Sequence, residues 1–131
     1  MLVKIENPLL LSRVIEIISE LVTEVRIKVD SSGFNINAMD PANVSMVRFL
    51  LPKGSFSKFE TGNEILGVNL DSLKRILKRC GSGSSLIMEK QDNLLNIQIQ
   101  DKIRRTFNLA LIDIESEEKE INPVIVAAIA H

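Results

Sequence analysis

The sequence has 131 residues, of which 45% are hydrophobic and 25% are charged, and its formal net charge at pH 7 is −1. These proportions are those of a globular chain with a core, and they exclude a disordered or fibrous protein. No stretch approaches the ~20 consecutive apolar residues that span a bilayer. We expect no signal peptide, and the single cysteine cannot form an intramolecular disulfide.

Charge is divided unevenly along the chain. Residues 1–112 contain 15 Lys and Arg against 12 Asp and Glu, a net charge of +3, whereas residues 113–131 contain one Lys and five acids, a net charge of −4. The near-neutral total therefore combines a mildly basic body with an acidic C-terminal segment. Acidic stretches are most often solvated surface, and we interpret 113–120 in that way.

A strand, a helix and three strands are predicted in the first part of the chain. "MLVKIE" is a short strand, and Asn7 followed by Pro8 is typical of an N-cap and the first helical position. Apolar residues recur at helical spacing through "PLLLSRVIEIISELV", which predicts a helix with one broad apolar face. The alternating segments "EVRIKVD" and "FNINAMD" predict a hairpin about "SSG", with Gly33 at positive φ. "VSMVRFLL" predicts the next strand.

The same order of elements returns after the turn-rich segment "PKGSFSKFETGN". "EILGVNL" predicts a strand, followed by a helix that Asp71 or Ser72 would cap and that runs through Arg79. "GSGS" is expected to end this helix, and "SLIMEK", "LLNIQIQ" and "IRRTFNLALID" predict three strands. The two units, about 1–52 and 63–112, predict an α+β domain with two helices on one face of antiparallel sheets.

The predicted second helix has an uninterrupted basic face, formed by Lys74, Arg75, Lys78 and Arg79. A plain solvated amphipathic helix is the simplest interpretation, but such helices normally carry acidic partners one turn away from their cations, and no acid lies between Ser72 and Arg79. A basic face of this kind favours neutralisation of DNA phosphates, which is independent of base sequence. The helix lacks the groups expected for base readout or for stacking on single strands. The first helix contributes one cation, Arg13, beside Glu16 and Glu20.

No constellation of catalytic or metal-binding residues is recognisable. The one histidine, His131, is the last residue. "GSGSS" follows a helix and lacks the Gly-Lys-Ser/Thr of a phosphate loop, so we interpret it as the end of that helix. Cys80 has no histidine partner and is interpreted as a packing residue, and Asp40 as a turn carboxylate. We therefore predict a protein that is not an enzyme and that uses no cofactor or metal.

Four segments together resemble the sliding clamps of archaea and eukaryotes, the proliferating cell nuclear antigen family: "SSGFNINAMDPANVSMVRFLLP", "FSKFE", "LGVNLDSLKRILKR" and "RTFNLALIDIE". They occur in the family's order and spacing over about 1–115. The resemblance implies a non-enzymatic ring around double-stranded DNA that acts as a processivity factor for polymerases, ligases and nucleases. It also implies a clamp loader and other clamp subunits as partners, no membrane, and a cytoplasmic location if the protein is archaeal or a nuclear one if it is eukaryotic.

The resemblance assigns roles to individual residues. Arg75 and Lys78 match cations of the second helix that line the hole, and Arg13 matches one on the first, while Lys74 and Arg79 are added from the helical wheel. A pocket for partner peptides would include Met39, Asn43, Val44, Met46 and Ile121; ordinary strand packing is the alternative for Met39, Val44 and Met46. The strand that pairs with the next subunit would contain Arg104, Arg105, Phe107 and Leu109.

Members of the family have two such domains in each chain, and this sequence resembles the first. We expect a clamp N-terminal domain at 1–112, a connecting loop at 113–123 and the beginning of a second domain at 124–131. Whether this chain closes a ring, and whether the ring contains one kind of chain or several, is left open. The alternative function is a protein–protein interaction module, or a clamp regulator, that does not itself encircle DNA.

Overall fold

The computed structural model describes residues 1–39, 46–112 and 125–128. These residues form, in chain order, β1 (Leu2–Ile5), α1 (Leu9–Ser19), β2 (Glu24–Asp30), β3 (Gly33–Met39), β4 (Met46–Pro52), a 3₁₀ turn (Lys53–Ser55), β5 (Lys58–Glu60), β6 (Glu64–Asn69), α2 (Leu70–Leu77), β7 (Ser85–Gln91), β8 (Leu94–Gln100), β9 (Arg104–Ala110) and β10 (Ile125–Ala128). The predicted order of strand, helix and three strands is therefore present twice. The short strand β5 was not predicted.

The two units of the repeat are interlocked. One sheet has the strand order β5-β1-β7-β8-β9, and the other has the order β10-β4-β3-β2-β6. Strand β1 thus pairs with β7 of the second unit, and β6 pairs with β2 of the first, both antiparallel. Because each unit contributes its first strand to the sheet that holds the other unit's remaining strands, neither unit has a complete sheet by itself.

Both helices bury one side in the core. Three residues of α1 are buried, namely Leu11, Ile15 and Ile18, and three of α2 are buried, namely Leu70, Leu73 and Leu77. Each such side chain contributes about 1.5–3 kcal/mol by leaving water. The helices also pack against each other, and this fixes which of their residues face outward. Neither helix in the described part of the chain is long and apolar enough to span a membrane.

The helix ends differ from those predicted. Pro8, and not Asn7, occupies the N-cap of α1, with φ −83° and ψ 0° and no side-chain hydrogen bond. At α2 the N-cap is Asn69, whose Oδ1 accepts a hydrogen bond of 3.0 Å from the Ser72 backbone N–H. The prediction of Asn7 as the cap of α1 is therefore wrong. The prediction of Asp71 or Ser72 as the cap of α2 is also wrong, because this helix already begins at Leu70. The helix also ends at Leu77, two residues before the predicted end.

The predicted hairpin at "SSG" is confirmed. Asp30 pairs with Gly33 across the turn, and Gly33 has φ +137°. A Cβ at this position would meet the Leu51 carbonyl oxygen, so the close approach of β4 requires glycine. The Asp30 carboxylate accepts hydrogen bonds from the side chain (2.6 Å) and the backbone N–H (2.9 Å) of Ser32, and these bonds lower its pKa.

Two polar contacts join the two sheets, and both involve residues of β6. The ammonium nitrogen of Lys90 lies 3.1 Å from Glu64 Oε2, and the backbone N–H of Ile112 donates a 2.8 Å hydrogen bond to the Gly67 carbonyl oxygen. The second contact places the chain after β9 beside β6, so the two sheets are connected at this end of the domain.

Candidate nucleic-acid interface

The buried side of α2 determines where its cations point. With Leu70, Leu73 and Leu77 in the core, Arg75 is exposed and Lys74 is half-buried. Lys78 follows the helix as its C-cap and is exposed, with its backbone N–H bonded to the Lys74 carbonyl oxygen at 3.0 Å. The structure thus brings three of the predicted DNA-binding cations to the outer side and the C-terminal end of one helix.

These cations are not paired with any acid in the part of the chain that the structure describes. None of the salt bridges formed by the described residues includes Lys74, Arg75 or Lys78. Cations at a helix C-terminus also interact favourably with the helix dipole, which is a purely structural reason for their presence. Their side chains nevertheless remain available to an anion that approaches the outer side of α2.

Arg79 is placed differently from the other cations. Its guanidinium carbon lies 5.4 Å from the centre of the Phe107 ring, within the distance of a cation–π interaction. The side chain is therefore directed toward β9. Sequence reasoning missed this contact because the two residues are far apart in the chain and no local pattern relates them. The role of Arg79 in DNA binding stays a prediction.

The outer face of α1 is acidic and partly apolar. Arg13 is exposed there, but so are Glu16 and Glu20, and Ile17 is 60% exposed. Ser19 is half-buried, and its hydroxyl donates a 2.7 Å hydrogen bond to the Glu16 carbonyl oxygen. Any attraction of the helical face for a polyanion must therefore come from α2.

The titratable groups near the end of α2, Cys80 and Asp101, have pKa values shifted by burial and by hydrogen bonds within the domain. Cys80 is buried, and burial raises the pKa of its thiol to about 11. The backbone N–H of Ile103 donates a 3.0 Å hydrogen bond to Asp101 Oδ1 and lowers the pKa of that carboxyl, to which Ser84 also donates at 3.2 Å. Within the described ranges, no three side chains of His, Cys, Asp or Glu lie close enough to hold a metal ion.

The strand predicted to pair with another subunit is β9, at the edge of its sheet. Its side chains alternate: Arg105 and Phe107 are half-buried and Leu109 is buried, whereas Arg104 is exposed. Since Phe107 and Leu109 belong to the interior of this domain, β9 offers a second chain chiefly its backbone groups and its polar side chains.

The predicted peptide pocket lies mostly outside the described residues. Met39 and Met46 pair across β3 and β4, and the side chain of Met46 is half-buried. Asn43, Val44 and Ile121 lie outside the described part of the chain, as does the side chain of Met39. The pocket therefore stays a prediction.

Known proteins resemble this chain over most of its length. A sequence model of the family described as proliferating cell nuclear antigen, N-terminal domain, matches residues 1–119. The chain is 42% identical over 112 residues to a DNA polymerase sliding clamp of Pyrococcus horikoshii, covering 84% of this chain and 45% of that protein. It is 34% identical over 111 residues to one of Methanococcus vannielii, covering 83% and 45%.

A solved structure has the same fold. The chain superposes with a TM-score of 0.87 on a chain in the crystal structure of the PCNA2–PCNA3 complex from Sulfolobus tokodaii. The sequence identity is 25%, and the match covers 92% of this chain and 50% of that one. The chain thus spans about half the length of the relatives that it matches.

Proposed function

Because the chain belongs to the proliferating cell nuclear antigen family, we propose that it is a subunit or domain of a DNA sliding clamp. In this role it encircles double-stranded DNA without sequence specificity and acts as a processivity factor that tethers polymerases and other replication and repair enzymes. Its partners are duplex DNA, a clamp loader, other clamp subunits and clamp-interacting peptides of polymerases, ligases and nucleases. Its location is the cytoplasm if the protein is archaeal and the nucleus if it is eukaryotic. Residues 1–112 form the clamp domain, 113–123 the connecting loop and 124–131 the start of a second domain.

The observation that carries the proposal is the row of cations on the outer side of α2. Lys74, Arg75 and Lys78 form no salt bridge with a described acid. Lysine and arginine side chains placed in this way exchange condensed counterions for phosphates and do not distinguish base pairs. A processivity factor needs this property, since it must move along DNA of any sequence.

We further propose that the protein is not an enzyme and that it uses no cofactor. Cys80 is the only cysteine, and its pKa of about 11 keeps the thiol protonated at neutral pH, where a thiol is a poor nucleophile. The carboxyl of Asp101 has a lowered pKa because it accepts hydrogen bonds from its own turn, which is opposite to the raised pKa that a general acid needs.

The test is the salt dependence of binding to duplex DNA. We expect the affinity of the full chain to be weak and independent of sequence, and the logarithm of the binding constant to fall with the logarithm of salt concentration. The double variant Arg75→Ala/Lys78→Ala should make this slope less steep, lowering its magnitude by about 1.8, since each phosphate contact contributes about 0.9. The control is Lys53→Ala/Lys58→Ala, which removes two exposed cations of the segment around β5. An equal slope for wild type and the α2 variant would contradict the proposal.

The outer face of α1 favours a second candidate, a protein–protein interaction module or clamp regulator that does not encircle DNA. Its exposed Ile17 and its acids, Glu16 and Glu20, are unsuited to a wall that faces phosphates. Light scattering with and without circular duplex discriminates the two. A particle that remains on circular DNA and is released by linearisation supports the clamp, and a monomer that never associates with DNA supports the module.

A further inference from the structure

The sheet that contains β2, β3 and β4 carries cations on the face that points away from the core. Alternate residues of β2 are buried, so Arg26 and Lys28 lie on the outer face. Arg48 of β4 precedes the buried Phe49 and lies on the same face. Phe49 and Leu73 of α2 belong to one buried cluster. The helices therefore pack on the other side of this sheet, and the outer face is separate from the basic side of α2.

Asn37 fixes the guanidinium group of Arg48 on the outer face. The two residues are paired between β3 and β4, and Arg48 Nε donates a 3.0 Å hydrogen bond to Asn37 Oδ1. None of the salt bridges between described residues includes Arg48, and its side chain is exposed. A guanidinium that is held through one nitrogen still presents its terminal donors, and these bind a carboxylate with charge-assisted hydrogen bonds.

Two acids lie on the same face, one toward each end of β2. Asp30 accepts two hydrogen bonds from Ser32 and lies 4.0 Å from the ammonium nitrogen of Lys28. The side chain of Lys28 nevertheless remains 59% exposed. Glu24 begins the strand at its other end. The middle of the face, between these acids, therefore contains cations and the neutral amide of Asn37.

An apolar side chain adjoins the basic part of the face. Met46 is half-buried and lies two residues before Arg48 on β4, so both side chains point outward. At about 3.4 Å per residue, their Cα atoms are about 7 Å apart. An extended peptide that places an apolar side chain on Met46 therefore brings the side chain two positions along to Arg48.

We propose that Lys28, Asn37 and Arg48 form a subsite for the carboxylate side chains of a partner peptide whose apolar residue packs on Met46. The proposal rests on the proposed function only in placing partner peptides near Met46. Asp30 and Glu24 at the two ends would repel a continuous polyanion such as DNA, whereas single carboxylates fit between them. Charge complementarity of this kind selects between partners, so the subsite favours peptides with acids beside their apolar residue.

Two pentapeptides of equal composition and charge test the geometry on the full chain. Both have blocked ends, with the sequences Leu-Gln-Glu-Gln-Glu and Leu-Glu-Gln-Glu-Gln. In an extended peptide only the first places both carboxylates on the side of the leucine. At about 0.01 M salt, where screening is weak, it should bind about 2- to 25-fold more tightly, since each exposed ion pair contributes about 1.5- to 5-fold. The binding is followed by NMR shifts of the Met46, Arg48 and Lys28 backbone amides.

Variants of the outer face assign the difference between the peptides to its cations. Lys28→Gln/Arg48→Gln should make the two peptides bind equally. The control Lys58→Gln/Lys102→Gln removes two exposed cations that lie in the other sheet and in the turn after it, and it should retain the difference. Asn37→Asp leaves both cations in place and sets a carboxylate against Arg48, so it should also reduce the difference.

Three results would overturn the proposal. One is equal binding of the two peptides to the wild type, with shifts confined to residues 74–78. Another is a difference that survives both Lys28→Gln/Arg48→Gln and Asn37→Asp. The third is displacement of the first peptide from Arg48 by a duplex of 12 base pairs, which would assign the face to nucleic acid. The peptide titrations contain no DNA, and the salt slope is measured on α2 variants, so this proposal and the proposed function can fail separately.

Discussion

The guanidinium carbon of Arg79 lies 5.4 Å from the centre of the Phe107 ring. Arg79 stands just beyond the C-terminal end of α2, and Phe107 is at the centre of the edge strand β9. The contact therefore joins the C-terminal end of the basic helix to the strand that is predicted to pair with another subunit.

Replacing Arg79 by alanine should lower the free energy of unfolding by about 0.5–1 kcal/mol, because an exposed cation–π contact is lost. Arg79→Lys should lower it less, since an ammonium can still approach the ring. Urea denaturation followed by circular dichroism measures the difference. Lys78→Ala is the matched control, because Lys78 is exposed and Arg79 is the cation found over a ring among the described residues. Equal losses for Arg79→Ala and Lys78→Ala would show that the ring contact adds no stability.

The Asn69 cap of α2 should contribute more to the free energy of unfolding than any of the charged side chains on the surface of this helix. Asn69→Ala removes the acceptor of the Ser72 N–H and should cost about 1 kcal/mol, whereas Asn69→Asp should be close to neutral. Chemical denaturation gives both values. Asn7→Ala is the control, since the structure shows no side-chain cap at α1, and it should change stability little. A loss at Asn7 as large as that at Asn69 would contradict the assignment of the caps.

The ion pair between the two sheets should be measurable but small. Lys90 and Glu64 are 3.1 Å apart with side chains 31% and 26% exposed, whereas Lys58 and Glu60 are 3.9 Å apart and more exposed. Double-mutant cycles with Lys→Met and Glu→Gln should give a coupling of up to about 1 kcal/mol for the first pair and about zero for the second. A larger coupling for the exposed pair would mean that Lys90 does not connect the sheets.

Neutralising the acids of α1 should strengthen DNA binding. Glu16→Gln/Glu20→Gln removes two negative charges from the outer face of the helix beside α2. The gain should be less than about tenfold at 0.1 M salt, because exposed charges more than ~10 Å from a phosphate are screened. Asp92→Asn, in the turn between β7 and β8, is the control and should leave the affinity unchanged. An unchanged affinity for the α1 variant would place that face away from DNA.

The raised pKa of Cys80 should make the free energy of unfolding fall as the pH rises from about 9 to about 11. Burial raises its pKa from 9.0 to about 11, so between these values the unfolded chain loses the proton while the folded chain retains it. The stabilising contribution is complete below pH 9 and is lost as pH rises toward 11. The difference in unfolding free energy between wild type and Cys80→Ala should therefore shrink over this interval. A constant difference would show that the thiol titrates normally in the folded chain.

Local pattern was sufficient to predict most of the elements. Periods of 3.6 and 2 in the sequence predicted both helices and the alternating strands, and the spacing of "SSG" predicted the positive φ of Gly33. The same reasoning failed at the helix ends. It chose Asp71 or Ser72 as the cap of α2, but Leu70 is buried and already helical, so the capping position falls on Asn69.

The pairing of strands between the two units of the repeat could not be predicted from the sequence. Two units of strand, helix and three strands were predicted, but the exchange of β1 and β6 between the sheets was not. Whether a strand pairs inside its own unit or with the other depends on contacts between distant residues, and alternation along one strand is the same in both arrangements.

The amino-acid sequence alone determined the composition of this domain's surfaces: a helix with a basic side, a helix with an acidic one, and strands that can bury one face. These properties follow from the order of residues, because helical and strand periodicity are local. Only the tertiary structure decided that Arg79 turns to Phe107, that Lys90 reaches Glu64 and that residues 125–128 cover β4. Those contacts join residues at least 26 positions apart, and their formation depends on how the sheets and helices pack.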